Sequence, residues 1–116
     1  VSDTVNGIFA VLKGNVGHGE IFNLGSNFEI SIEKVVNVIS EVFSTEIMVI
    51  QDASRIRPEN SEVDRLWSDN KKAIETFNWI PEFASETGFK KGIELTAKWF
   101  SNPKNLLRYK YQMYNL

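Results

Sequence analysis

The chain is organised around Arg55-Ile56-Arg57-Pro58-Glu59-Asn60-Ser61-Glu62-Val63-Asp64-Arg65-Leu66-Trp67-Ser68-Asp69-Asn70, a highly charged stretch that separates two apolar blocks. Pro58 lacks a backbone N–H and restricts the preceding residue to extended conformations, so the stretch predicts a loop and not a helix interior. An arginine held extended at position 57 would present a planar fork of donors that suits phosphate or carboxylate oxygens. From composition alone, the favoured interpretation is a solvated loop whose charges pair with one another.

Composition limits the remaining function classes. The 116 residues form one domain at most, and a net charge of −2 provides no basic field for nucleic acid. Cysteine is absent and His18 is the only histidine, which excludes disulfides, thiolate metal sites and histidine metal clusters. No apolar run approaches the ~20 residues of a membrane span, and no signal peptide is present, so we expect neither a membrane nor a nucleic-acid partner. We expect His18 to be solvated in a turn.

Apolar residues at helical spacing predict three major helices, near Val1–Leu12, Ser31–Phe43 and Ser85–Phe100. Ser2 or Asp3 is available to cap the first helix and Ser31 the second, and Gly14 stops the first. Because Ala84 cannot cap a helix, we expect Ser85 to cap the third.

Two short segments, Glu20–Leu24 and Glu46–Ile50, read as strands because β-branched and aromatic residues are frequent in them. The predicted fold class is therefore α/β, rich in helix, with short strands. Between these elements Asp69 is expected to cap a short helix, Asn78 to end it in the left-handed conformation, and Pro81 to prevent its continuation. We expect four apolar side chains nearby to reach the core: Val63, Leu66, Trp67 and Trp79. Pro103 starts a last helical turn, and an amphipathic tail follows with Tyr109, Tyr111 and Tyr114.

The sequence resembles a known family along most of its length. Arg-Ile-Arg-Pro-Glu-Asn-Ser-Glu-Val at 55–63, Leu-Trp-Ser-Asp-Asn-Lys-Lys-Ala at 66–73 and Asn-Trp-Ile-Pro at 78–81 carry the likeness. They resemble the C-terminal region of NAD-dependent nucleotide-sugar epimerases and dehydratases, the extended branch of the short-chain dehydrogenase/reductases. Within it, the chain is most similar to 4,6-dehydratases of the legionaminic-acid pathway, which act on N-acetylglucosamine nucleotides.

The resemblance implies that residues 1–116 are the helix-rich, nucleotide-sugar-binding region of an extended Rossmann-type enzyme. The chain begins at Val1, inside a predicted helix and without a methionine, so we expect it to be a piece of a longer protein whose NAD-binding domain precedes it. The resemblance further implies that the parent enzyme is a cytoplasmic homodimer acting on a nucleotide-diphosphate sugar.

Site residues follow from the same resemblance. Arg57 matches the arginine that relatives place on the pyrophosphate, and Glu62 matches the acid that they place on the nucleotide ribose. Related dehydratases have a shorter gap between the two positions, so Glu59 competes with Glu62. Arg55 is a weaker candidate and could equally serve as an internal salt-bridge partner. No metal site is expected.

The chemistry of the family implies what this chain cannot do alone. Relatives remove a hydride from sugar C4 with NAD, eliminate water across C5–C6 and return the hydride at C6. That needs a glycine-rich dinucleotide loop and a Tyr-x-x-x-Lys pair. None of the three tyrosines has a lysine four residues later, and no glycine-rich loop follows a strand. We therefore expect no catalytic residue and no NAD site in this chain.

Two other interpretations stay open on the sequence. The chain could be a stand-alone nucleotide-binding or regulatory module. It could also be a mainly helical interaction domain whose arginine-rich loop binds an acidic partner. A glycine-rich loop and a Tyr-x-x-x-Lys motif within the preceding ~200 residues would decide between the first of these and the enzyme.

Overall fold

Five helices make up about half of the part of the chain that the computed structural model describes, which is residues 1–52, 63 and 65–107. They are α1 (Ser2–Lys13), α2 (Ile32–Phe43), α3 (Lys71–Phe77), α4 (Glu86–Phe100) and α5 (Pro103–Leu106). The three predicted major helices are confirmed. None of the described helices is both long and apolar enough to cross a membrane.

Serine side chains cap the N-terminal ends of α2 and α4, as predicted. Ser31 Oγ accepts a hydrogen bond from the backbone N–H of Lys34 at 3.2 Å. Ser85 Oγ accepts one from Gly88 at 2.9 Å. Each bond satisfies an N–H that has no partner inside its helix, so both helices begin at a defined residue.

The start of α1 differs from the prediction, because neither Ser2 nor Asp3 caps it. The N-cap position belongs to Val1, with no side-chain hydrogen bond, and Asp3 lies inside the helix. The Asp3 carboxylate instead accepts hydrogen bonds from the backbone N–H groups of Glu82 and Phe83, at 2.8 and 2.9 Å. A carboxylate engaged by two N–H groups of a distant turn is not available to its own helix.

Helix α3 begins within one residue of the predicted cap and ends as predicted. Asp69 Oδ1 accepts a hydrogen bond from Lys71 N at 2.9 Å, although Asn70 and not Asp69 occupies the N-cap position. Asn78 ends the helix in the left-handed conformation, with φ 52° and ψ 34°. Trp79 follows and is 5% exposed, which confirms its predicted burial.

The core of the described residues is small. Its buried hydrophobic side chains are Val38, Ala73 and Trp79. Helix α2 packs against α4, and two exposed ion pairs, Lys34–Glu86 at 2.9 Å and Lys90–Glu41 at 2.8 Å, cross between them.

Three core predictions are wrong, because Val63, Leu66 and Trp67 are exposed. Buried Asn70 and Ala73 occupy the packed positions at the start of α3. The three apolar residues precede these packed positions and lie outside the core.

The two predicted strands are also wrong: residues 20–24 and 46–50 are irregular, and the described part of the chain contains no strand. A strand exists only where a second strand pairs with its backbone, and no described segment offers that ladder. The Ile21 carbonyl oxygen accepts its hydrogen bond from the Lys72 ammonium group instead, at 3.1 Å. The predicted tyrosine tail, Tyr109, Tyr111 and Tyr114, lies outside the described residues.

Candidate functional site

The four site residues predicted from the sequence, Arg55, Arg57, Glu59 and Glu62, lie outside the described residues, and their roles stay predictions. The structure describes the residues on either side of them, up to residue 52 and again at 63 and from 65 onward. The chain before them is exposed at Met48, Val49 and Ile50, whereas the chain after them is held by several contacts. The described part of the candidate site is therefore its downstream side, residues 63 and 65–72, together with the segment 20–32 that contacts it.

Asn70 is the buried centre of this contact. It is 1% exposed, and its side-chain N–H donates to the carbonyl oxygen of Gly25 at 2.7 Å. Asn23 donates from its own amide to the Asp69 carbonyl oxygen at 3.3 Å, which is a structural hydrogen bond. Two side-chain amides thus join residues 23–25 to residues 69–70.

Gly25 lets these two segments approach closely. A Cβ atom at position 25 would lie 2.4 Å from the Ser68 Cβ and 2.5 Å from its Oγ. Contacts that short are repulsive, so only glycine fits while Ser68 stays in place.

Lys72 makes a second set of contacts two residues further along the chain. Its ammonium group pairs with Glu20 at 2.9 Å and lies 4.6 Å from the centre of the Phe22 ring. The Phe22 ring meets Phe77 edge to face, with 4.6 Å between ring centres. Cation–π and aromatic contacts of this kind orient side chains as well as attract them. The irregular segment 20–24 is therefore fixed on α3 without any sheet.

Arg65 and Glu29 form a two-pronged ion pair at the edge of the loop. Arg65 Nε donates to Glu29 Oε2 at 3.0 Å, and Nη2 donates to Oε1 at 2.6 Å. The hydrogen bond from Arg65 lowers the pKa of the Glu29 carboxyl, and the reciprocal interaction raises the pKa of Arg65. Both groups stay charged near neutral pH, so the pair carries no net charge there.

This ion pair forms one wall of an open groove of about 690 Å³. Apolar side chains line most of the remaining wall, and Leu66 is 80% exposed. The lining residues are Glu29, Ile30, Ser31, Ile32, Val63, Arg65 and Leu66. The groove therefore presents an apolar surface beside an ion pair whose charges balance each other.

Metal and histidine chemistry receive no support from the described residues. They contain no group of three or more histidine, cysteine, aspartate or glutamate side chains that could hold a metal ion. His18 lies exposed in a turn between Gly17 and Gly19, in agreement with the prediction.

Four residues of this region were not among the predicted site residues: Arg65, Glu29, Asn70 and Lys72. Arg65 carried the best available signal, since it is the third arginine of the central stretch. Its partner lies 36 residues away, and neither periodicity nor spacing indicates a contact at that separation.

Three curated proteins are similar to the chain, each over 90% of its length. All are dTDP-D-glucose 4,6-dehydratases, from Mus musculus (35% identity over 112 residues), Homo sapiens (32% over 110) and Bos taurus (32% over 109). The chain spans about 30% of the length of each of these relatives. No protein-family model and no solved structure matches it.

Proposed function

We propose that this chain is the nucleotide-sugar-binding part of a longer, NAD-dependent nucleotide-sugar 4,6-dehydratase or epimerase, and that it is not catalytic by itself. The observation that carries the proposal is the similarity of 32–35% over 90% of the chain to dTDP-D-glucose 4,6-dehydratases, of which it spans 30%. The longer protein is proposed to be a cytoplasmic homodimer.

Arg57 is proposed to bind the diphosphate and Glu62 the ribose. A guanidinium group matches two phosphate oxygens at once, and a carboxylate accepts hydrogen bonds from vicinal hydroxyls. The contacts of Gly25, Glu29 and Lys72 with the chain after the loop support a binding role for the loop, because a ligand-binding loop needs a fixed base.

NAD is proposed to be bound elsewhere in the longer protein, where it would accept a hydride from the sugar and return it. Dinucleotide sites use a strand, a glycine-rich loop and a helix in that order. In this chain the glycine-containing turn 14–19 follows helix α1 and precedes the irregular segment 20–24. The described residues therefore do not fit that cofactor, and no reaction step is assigned to them.

Titration of backbone amide chemical shifts with UDP, GDP and dTDP tests the proposal. We expect weak binding, with Kd on the order of 1 mM, because part of a cleft offers few contacts. The shifts should centre on residues 55–63, and the affinity should fall with added salt. Shifts centred elsewhere would contradict the proposal.

Variants assign the roles within the loop. Arg57→Lys should weaken binding almost as much as Arg57→Ala, because lysine lacks the two-pronged geometry. Glu62→Gln should weaken binding of nucleoside diphosphates and leave bare pyrophosphate unaffected. Glu59→Gln is the matched control and should change neither. Indifference to Arg57→Ala would make the loop a solvated connector.

The same titration addresses the substrate. The curated relatives are named for dTDP-D-glucose, whereas the sequence resemblance points to N-acetylglucosamine nucleotides of the legionaminic-acid pathway. The ranking of dTDP against UDP and GDP decides which base the chain prefers. Keto-sugar formation by the chain alone, with NAD and a nucleotide sugar supplied, would contradict the proposed lack of catalysis.

A further inference from the structure

Helix α1 packs on the described fold through one of its faces. Gly7 is its buried residue, and a Cβ atom there would lie 3.0 Å from the Leu24 side chain and 3.2 Å from the Trp79 ring. Asp3, the only charged residue among positions 2–12, also faces the fold, because its carboxylate accepts hydrogen bonds from the backbone N–H groups of residues 82 and 83. This side of α1 is therefore occupied within the chain.

The opposite side of α1 carries a second row of apolar side chains, which we call the α1 apolar face. It consists of Val5, Ile8, Phe9 and Leu12, whose exposed fractions run from 42% to 73%, so no described residue covers it. At 100° per residue, Gly7 lies on the far side of the helix from this row. A helix that is apolar on two opposite faces is typical of one that lies between two layers of a larger structure.

Helix α2 has the pattern expected of a helix at the protein surface. Its exposed positions include the charged residues Glu33, Lys34 and Glu41. Charged and polar residues are what the outward side of such a helix normally carries. The α1 apolar face contains none, so its sequence suits a protein environment and not water.

The size of the α1 apolar face limits what can cover it. The 12 residues of α1, at about 1.5 Å each, make a face roughly 18 Å long and about 10 Å wide. A stable contact between separate molecules buries about 800 Å² on each partner, several times that footprint. A segment of the same polypeptide needs less area, because it loses little translational and rotational freedom when it docks.

The curated relatives contain such additional polypeptide. The chain spans about 30% of the length of each, so the larger part of every relative lies beyond the match.

We propose that the α1 apolar face is an interface with the remainder of the longer protein, whose contact surface is apolar and uncharged. This inference rests on the proposed function, which makes the chain part of that longer protein. A second copy of the chain is not the natural occupant, because the small area supports only weak association at high concentration. In the longer protein the four apolar side chains are buried, and α1 lies between two layers.

Thiol reactivity in the longer protein measures this burial directly. Cysteine is absent from the chain, so Phe9→Cys and Leu12→Cys each place a single thiol of the chain on the α1 apolar face. Asn6→Cys is the matched control, because Asn6 is an exposed residue of the same helix outside that face. The rate of alkylation by iodoacetamide is followed by peptide mass spectrometry, and each rate is divided by the rate of the same variant in urea.

The relative rates for Phe9→Cys and Leu12→Cys should be lower than that for Asn6→Cys by at least about tenfold, because a thiol buried in apolar surroundings reacts only when the structure opens locally. The described chain by itself leaves all three positions exposed, so contacts within it would not produce this difference. A relative rate near one identifies a variant that has not folded, and the second thiol on the face then carries the test.

Equal relative rates at the three positions overturn the proposal. Slow alkylation at positions 9 and 12 that becomes fast when the longer protein is diluted also overturns it, and assigns the face to a second copy. The proposed function is tested separately, since this measurement uses no nucleotide. A longer protein that protects the face but binds no nucleotide sugar keeps the interface and loses the proposed function. One that binds the nucleotide sugar but leaves both thiols reactive does the reverse.

Discussion

Trp79 donates its indole N–H to the backbone carbonyl oxygen of Asp3, at 3.1 Å, across 76 positions of sequence. The Asp3 carboxylate accepts two further hydrogen bonds from the turn that begins α4, from Glu82 N and Phe83 N. One residue of α1 thus satisfies three polar groups of the segment between α3 and α4. Because Trp79 is one of the few buried side chains of the described core, this cluster joins α1 to the remainder of the fold.

Asp3→Ala should lower the free energy of unfolding by about 2–3 kcal/mol, because two backbone N–H groups of a partly buried turn lose their acceptor. Asp3→Asn keeps one acceptor oxygen and should cost less. Urea unfolding followed by Trp fluorescence measures both. Glu33→Gln, which removes an acid from the first turn of α2, is the control and should change stability by less than about 0.5 kcal/mol. A loss in Asp3→Ala no greater than in this control would contradict the prediction.

Gly25→Ala should destabilise the chain by about 1–3 kcal/mol, the usual range for overpacking. The added Cβ would meet the side chain of Ser68 at 2.4 Å. In the Ser68→Gly background the nearest remaining atom is the Ser68 carbonyl oxygen at 3.5 Å, so there the substitution should be tolerated. A double-mutant cycle by urea unfolding checks this coupling, and additive effects of the two changes would contradict it.

Two glycines of α4 should respond to alanine in opposite directions. At Gly88 an added Cβ would lie 2.8 Å from the Glu82 carbonyl oxygen and 2.9 Å from the Phe83 backbone, so Gly88→Ala should destabilise. At Gly92 the nearest atom is a Phe83 ring carbon at 3.4 Å, an ordinary contact. Gly92→Ala should therefore stabilise by about 0.5–1 kcal/mol through helix propensity. The two melting temperatures, measured side by side, check the sign of each effect, and equal shifts would contradict it.

The Glu41–Lys90 pair should contribute stability only within a window of pH. A hydrogen bond from Lys90 lowers the pKa of the Glu41 carboxyl below its ordinary value of 4.5, and the Lys90 pKa is raised above 10.5 by the same contact. A lowered carboxyl pKa stabilises the folded state above the ordinary value and ceases to do so as pH falls through the lowered one; the raised lysine pKa acts in reverse at high pH. The stability difference between the unmodified chain and Glu41→Gln should thus be larger at pH 7 than at pH 3.

Added salt should reduce that difference, because both side chains are exposed. Urea unfolding at pH 7 and pH 3, each at low and high salt, makes the measurement. A difference that grows on acidification would contradict the assignment.

The chain should self-associate at high concentration. Helix α1 exposes Val5, Ile8, Phe9 and Leu12, and Leu12 is 73% exposed. A row of apolar side chains on one helix face favours association. Phe9→Glu should shift the sedimentation profile toward monomer, whereas Met48→Glu, at an exposed apolar residue outside this face, should not. A clean monomer of the unmodified chain at high concentration would contradict this prediction.

The structural features that the sequence predicts correctly are mostly those that neighbouring residues determine. The caps at Ser31 and Ser85 and the left-handed Asn78 follow from chemistry within a few positions, and all are confirmed. The predicted burial of Trp79 is confirmed too, although its partner Asp3 is far away in sequence. A capping side chain accepts a hydrogen bond from a backbone N–H two or three residues later, so the local sequence decides which residue caps a helix.

The failures depend on residues far apart. The local sequence makes Asp3 a good cap candidate, but its carboxylate binds the backbone N–H groups of Glu82 and Phe83 instead. The segments 20–24 and 46–50 have strand composition, but composition does not supply the second strand that pairing needs. In the candidate site, the partners of Arg65 and Asn70 lie 36 and 45 residues away, beyond what spacing can indicate.

The anchoring of α1 on Asp3 also bears on the order of events during folding. Its hydrogen bonds close loops of 76 to 80 residues, whereas the Lys90–Glu41 contact between α2 and α4 closes one of 49. Longer loops cost more chain entropy to close, so α1 should dock after those two helices have met. At synthesis rates of about 5–20 residues per second, the ribosome needs on the order of 10 s to travel from Asp3 to Phe83. For that time Trp79, Glu82 and Phe83 cannot yet make the hydrogen bonds that hold Asp3 in the folded chain.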